Sequence, residues 1–144
     1  MRIAFTPIIA FLLVSCESAS EPTLRRPAWL GPLGDPRRVI QAPDTVHAGV
    51  PFSAIVAVAG SGSISCNQLD GASVAQGARV ARVEVFVRVP RSSRTCTDDI
   101  RFYPMSINLT FTTAGNSTIR VVGVNSNDAP NRPDSLERSI VVLP

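Results

Sequence analysis

The 144-residue sequence predicts an all-β domain, a two-sheet sandwich of about seven strands. Three observations carry this expectation. Over residues 80–89, Val83, Val85, Val87 and Val89 alternate with Arg82, Glu84, Phe86 and Arg88, the two-residue period of a strand with one face in a core and one in water. Ile107, Leu109 and Phe111 alternate in the same way with Asn108, Thr110 and Thr112, and Ala114-Gly115-Asn116-Ser117 follows as turn chemistry. No window of helical length repeats its apolar residues at a period of 3.6.

In chain order, the first element is an export signal. Arg2 stands next to the start, an apolar run fills residues 3–14, and small residues precede Cys16. This run is shorter than the roughly 20 apolar residues a membrane-spanning helix needs. The tetrad Leu13-Val14-Ser15-Cys16 resembles the lipobox of bacterial lipoproteins. That resemblance implies lipid on the Cys16 thiol, cleavage of residues 1–15, acylation (palmitate or a related chain) of the new amino terminus and a membrane held without a spanning helix. Glu17, in place of the Asp that marks inner-membrane retention in such proteins, implies the outer membrane. An ordinary cleaved signal with an incidental cysteine is the alternative.

Cleavage would leave 129 residues, enough for one domain with its own core. The formal charge of +3 falls to +2 when Arg2 leaves, too weak a balance to argue for nucleic acid. All fourteen basic residues are Arg. Residues 16–37 read as the lipidated Cys16 followed by a Pro- and Ser-rich tether, because Pro22, Pro27, Pro32 and Pro36 bias their neighbours toward extended backbone. Trp29, Leu30 and Leu33 interrupt it and are candidates for docking on the domain, on a partner or at the lipid interface.

The domain is expected over residues 38–144. Residues 39–41 and 45–47 are short strands split by Pro43, which suits an edge because Pro has no amide to donate. Residues 52–59 are almost continuously apolar and read as a buried central strand, with residues 80–89 as its partner. A one-residue slip in the latter would bury Arg82, Glu84 and Arg88. Residues 118–124 and 136–143 complete the set, separated by an Asn-, Asp- and Pro-containing loop over 125–134. This spacing favours an immunoglobulin-like sandwich, with a small β-barrel as the alternative.

Residues 42–46 (Ala-Pro-Asp-Thr-Val), Gly49, Pro51-Phe52, Cys66, Cys96-Thr97-Asp98 and residues 111–123, with Ala114-Gly115 and Ile119-Arg120-Val121, are together similar to bacterial lipoprotein domains of immunoglobulin-like type, a family of unassigned function. The resemblance covers residues 42–123 and implies architecture and an envelope location, with no catalytic residue to carry over.

With Cys16 taken by lipid, Cys66 and Cys96 are left as one pair. An exported protein meets oxidising surroundings, so a disulfide is expected, although pairing residues 52–59 with 80–89 would set the two cysteines at opposite strand ends, roughly 30 Å apart, unless the chain doubles back. A reactive or metal-binding pair is the alternative.

Candidate chemistry is sparse. His47 is the only histidine, which excludes zinc sites built on several imidazoles, and its place before Ala48-Gly49 reads as a strand end. Asp98 and Asp99 lack the spacing of a calcium loop and read as a turn. Gly60-Ser61-Gly62 lacks a phosphate-loop pattern. The sequons at Asn108 and Asn116 read as strand and turn composition. No metal, cofactor or catalytic residue is assigned. The candidate binding surface is Phe86 with Arg82 and Arg88, since an exposed aromatic flanked by guanidinium groups can anchor a partner or stack on a sugar, and Tyr103 beside Phe102 is a second candidate. The resulting expectation is a lipid-anchored, non-enzymatic envelope module that binds or positions another envelope component, with a glycan- or small-molecule-binding lipoprotein as the alternative. A hydrolase resting on His47 or on Asp98 and Asp99 is the weakest reading.

Overall fold

The computed structural model describes residues 23–30, 39–61, 66–91, 100–124 and 133–144. The signal, Cys16, Glu17, Leu33, Cys96, Asp98 and Asp99 lie outside them. Among the described residues, nine strands run in chain order: β1 (Thr23–Pro27), β2 (Ile40–Gln41), β3 (Thr45–His47), β4 (Phe52–Ser61), β5 (Gln68–Gln76), β6 (Val80–Pro90), β7 (Ile100–Leu109), β8 (Gly115–Val124) and β9 (Pro133–Leu143). The all-β expectation holds. All seven expected strands are present, and β1 and β5 are additional. β7 begins seven residues before the alternating stretch starts at Ile107.

The strands form two sheets around one core. The larger has the order β1-β6-β8-β9-β3, with β5 also on β6, and the smaller is β2-β4-β7. The alternation in β6 fixes its faces as expected: Ala81, Val83, Val85 and Val87 are buried, while Arg82 and Arg88 are exposed. β4 does not pair with β6. It lies between β2 and β7, with Phe52 opposite Leu109 and Ser61 opposite Ile100, and meets β6 only across the core. The continuous apolar run of β4 conceals a period of two, because Ala54, Val56 and Val58 are fully buried while Ile55 on the other face is exposed. Phe111, Leu30, Ile40, Leu109, Ile119 and Ile140 are the bulkiest buried side chains, and Phe52 tilts against Phe111 at a centroid distance of 5.9 Å.

The span expected as a tether enters the fold. β1 pairs antiparallel with the end of β6, Thr23 opposite Pro90 and Pro27 opposite Phe86. The next three residues stitch the sheets together. Ala28 donates its N–H to the Val85 carbonyl (2.8 Å), Trp29 and Ala59 exchange backbone hydrogen bonds (3.2 and 2.7 Å), and Leu30 and Ala28 exchange them with Val124 (both 3.1 Å). Leu30 is buried, and full burial of such a side chain is worth about 1.5–3 kcal/mol, enough to recruit a Pro-rich segment. Docking on the chain's own domain therefore holds for Trp29 and Leu30. At the other end, Arg138 of β9 donates to the carbonyls of Ile40 (2.9 Å) and Ala42 (2.6 Å) and pairs with Asp44 (2.9 Å), tying β2 of the smaller sheet and the link between β2 and β3 to the larger sheet.

The stitch demands glycine at position 123. A Cβ there would stand 2.5 Å from the Ala28 carbonyl oxygen and 2.9 Å from Leu30 Cδ2. Gly123→Ala should therefore lower stability by about 1–3 kcal/mol, read from the urea midpoint by circular dichroism. An unchanged midpoint would mean that residues 28–30 do not pack as described.

Candidate functional site

Among the described residues, β6 is the only strand with three partners, and its outer face carries Arg82, Glu84, Phe86 and Arg88. β5 occupies one edge along residues 81–88. The other edge is divided: β8 runs parallel to it over Val80–Glu84 and β1 antiparallel over Phe86–Pro90. Each half has its own polar chemistry.

On the β1 half, the expected pairing of an aromatic with arginines is present, but the chain satisfies it internally. Leu69 stands opposite Val87 and Gly71 opposite Phe86, so Asp70 is a bulge residue with no opposite number, and Gly71 adopts φ +104. The bulge carries the Asp70 carboxylate, of which 10% is exposed, to Arg25 Nε at 2.9 Å and to Arg88 Nε. The Arg25 guanidinium lies 3.6 Å from the centroid of the half-buried Phe86 ring. Phe86 is thus covered by the chain's own arginine, a contact worth about 0.5–1 kcal/mol at such a site.

Tyr103 does not join this surface. Its phase in β7 points it toward the core, where its hydroxyl donates to the Asn67 carbonyl (2.9 Å). Its neighbour Phe102 is the exposed member of the pair. His47 is exposed at the end of β3 and its Nδ1 donates to the Pro144 carbonyl at 3.2 Å, the strand-end position its sequence context implies. Asn108 and Asn116 are exposed on β7 and β8. Cys66 is buried just before β5, and its expected partner Cys96 lies outside the described residues.

On the β8 half, where β6 changes neighbour, β8 and β1 diverge and leave a notch of about 490 Å³. Val122, Gly123, Val124, Pro27 and Pro133 give it apolar walls, Arg82 and Glu84 supply charge from the outer face of β6, and Arg26 lines it from a register position opposite the buried Val87. The surrounding charges are already paired: Arg25 and Arg88 with Asp70, and Arg120 with Glu137 at 2.5 Å directly across the β8–β9 ladder. Among the described residues, the side chains of Arg26, Arg82 and Glu84 have no hydrogen-bonding or ionic partner. The outer face therefore separates the expected surface: Phe86 and Arg88 belong to a self-contained cluster, while Arg82 faces the notch.

Arg25, Arg26 and Asp70 went unread in the sequence. Arg25-Arg26 sat in a Pro-rich span, and Asp70-Gly71 was the one local sign of a bulge within a strand of small and polar residues.

No family model, no curated protein and no solved structure matches this chain.

Asp70→Ala should leave Arg25 and Arg88 facing each other without their anion. Because both arginines are more than half exposed, the loss should be only about 1 kcal/mol, larger in low salt than in 1 M salt, as measured by urea unfolding at the two ionic strengths. Equal midpoints for variant and wild type would show that the cluster carries no stability.

Proposed function

We propose that the chain is a lipid-anchored, non-enzymatic module of the bacterial cell envelope, probing its surroundings with the outer face of the larger sheet. The lipobox-like tetrad ending at Cys16 supports the anchor, and the resemblance to immunoglobulin-like lipoprotein domains supports the location. The observation that carries the binding role is the notch: on a face where Arg25 and Arg88 are paired with Asp70 and Arg120 with Glu137, Arg82 and Glu84 border one concavity without a partner among the described residues. Guanidinium groups left unpaired beside apolar walls suit recognition rather than stability.

Cys66 and Cys96 are proposed to form a disulfide that fastens the anchor-proximal end of the sandwich. Ser61 stands opposite Ile100, so Cys66 follows one of these residues by five positions and Cys96 precedes the other by four. Four residues reach at most about 14 Å, which removes the separation implied by pairing β4 with β6. Cys66 is buried and already engaged by a partner.

Cross-linking in intact cells tests the module. The wild-type chain should fractionate with membranes and cross-link to a stoichiometric envelope component; Cys16→Ala should move it to the soluble fraction, and Arg82→Glu should abolish the cross-link without releasing the protein. A Cys16→Ala protein that stays membrane-bound would overturn the anchor, and an Arg82→Glu protein that still cross-links would overturn the binding face. For the disulfide, reduction should lower stability by about 3–4 kcal/mol in urea, and labelling of the denatured, unreduced protein should find neither thiol free. Two free thiols would refute the bond.

A further inference from the structure

The edge of a sheet presents a row of backbone N–H and C=O groups that another strand can join, and proteins blunt such edges with short strands, charge or proline. Among the described residues, one edge is left unblunted. β2 and β3 are two and three residues long, β7 carries Pro104 at mid-strand, and β1 carries Arg25, Arg26 and Pro27. β5 pairs with β6 alone, and its residues 71–76, Gly-Ala-Ser-Val-Ala-Gln, hold neither a charge nor a proline. Ser73, Val74, Ala75 and Gln76 are exposed, and the bulge at Asp70 bounds the stretch.

The ladder shows which backbone groups are free. Gly77 donates its N–H to the Val80 carbonyl, so by the alternation of an antiparallel pair Gly71, Ser73 and Ala75 turn their groups to β6, while Ala72, Val74 and Gln76 turn theirs to the open side. Val74 stands opposite the buried Val83 yet is itself exposed, at the margin where the sheet ends. On the outer face Arg82 stands beside Ala75 and Glu84 beside Ser73, and neither charge has a partner among the described residues.

We propose that β5 pairs antiparallel with β5 of a second copy of this chain, about a two-fold axis at Val74. Ala72 then meets the partner's Gln76, and Val74 meets the partner's Val74, closing about six backbone hydrogen bonds and extending the apolar face across the junction. Charge selects both the occupant and the register. Ala75 faces the partner's Ser73, so Arg82, Ala75, the partner's Ser73 and the partner's Glu84 form one cross-strand row, and the two-fold repeats it in reverse. The two β6 strands are three strand spacings apart, about 14 Å, which an extended Arg, an extended Glu and one hydrogen bond span over the small residues between them. A two-fold at Ser73 would instead align Glu84 with the partner's Glu84, like charge facing like charge. The joined strands run in opposite directions, so the two Thr23 ends lie at opposite ends of the combined sheet. This goes beyond the preceding function by using the edge of β5, and it does not rest on the notch.

The test is sedimentation of the purified full chain in density-matched detergent from about 1 to about 100 μM, a range that brackets weak interfaces. The wild type should pass reversibly from one chain per particle to two, and exchange of the Ala72, Val74 and Gln76 amides should slow by about tenfold over the same range. Val74→Pro, which removes an amide that the β6 ladder does not use, should stay monomeric with an unchanged circular dichroism spectrum. Arg82→Glu and Glu84→Arg should each weaken association by about tenfold, and the two together should restore it, a rescue that chance sharing of a micelle would not show. A wild type that stays monomeric, a folded Val74→Pro protein that still dimerises, or a double variant no stronger than the single ones would each overturn the proposal. If the chain is monomeric while the cross-link in cells persists and depends on Arg82, the module reading survives and the second copy falls.

Discussion

The close approach between Gly123 and the Ala28 carbonyl is the constraint on which the rest of the structure depends. It lets residues 28–30 lie between β8 and β4, where one short segment hydrogen-bonds to strands of both sheets. Without that contact the two sheets would be held along this margin by side-chain packing alone. With it, the backbone itself sets their spacing, and the buried Leu30 becomes part of the common core. The division of the β6 edge between β8 and β1 follows from the same segment, since β1 must leave β6 after Pro27 in order to cross.

Apolar burial and electrostatics have separate tasks in this molecule. Among the described residues the core is almost wholly aliphatic, with valines of β4, β6 and β8 facing inward and Phe111 buried among them against the partly buried Phe52. Among the described residues, charged groups are confined to the outer faces and rims, where each pair is worth about 1 kcal/mol or less. Arg138 is the exception in kind rather than in strength: it donates to the carbonyls of Ile40 in the two-residue β2 and of Ala42 in the link to β3, supplying backbone there with a partner from β9. Its value lies in chain path, not in Coulomb energy.

The fold class was legible because Val83, Val85 and Val87 advertise their phase, and polar residues fall between them. Where both faces of a strand carry small or apolar residues, the phase is hidden, as with Ile55 and Ala57 in β4, and the pairing partner cannot be inferred from hydrophobicity. β5 was missed for another reason: Gly71, Ala72, Ser73 and Ala75 give it little β propensity, and its order comes from the ladder with β6. β1 was hidden by prolines that are harmless there, because Pro27 closes the strand. Of the candidate surface, the outward phase of Arg82, Phe86 and Arg88 could be read locally. What covers Phe86 and what leaves Arg82 alone depended on Arg25 and Asp70, both far away in sequence and brought near by β1 and by a bulge. Tyr103 faces inward because its register opposite Val58 puts it on the core side.

The position of β1 also alters the mechanics of the molecule at a membrane. Were lipid attached at Cys16, only six residues would separate it from Thr23, a leash of at most about 25 Å, in place of the twenty-odd residues that a tether running to residue 37 would supply. Thr23 lies beside Pro90, so that end of β6 would be held toward the bilayer and the Val80 end would point away from it. The domain would then sweep a shallow layer above the headgroups with its orientation largely fixed, and any molecule it meets would have to come down to that layer.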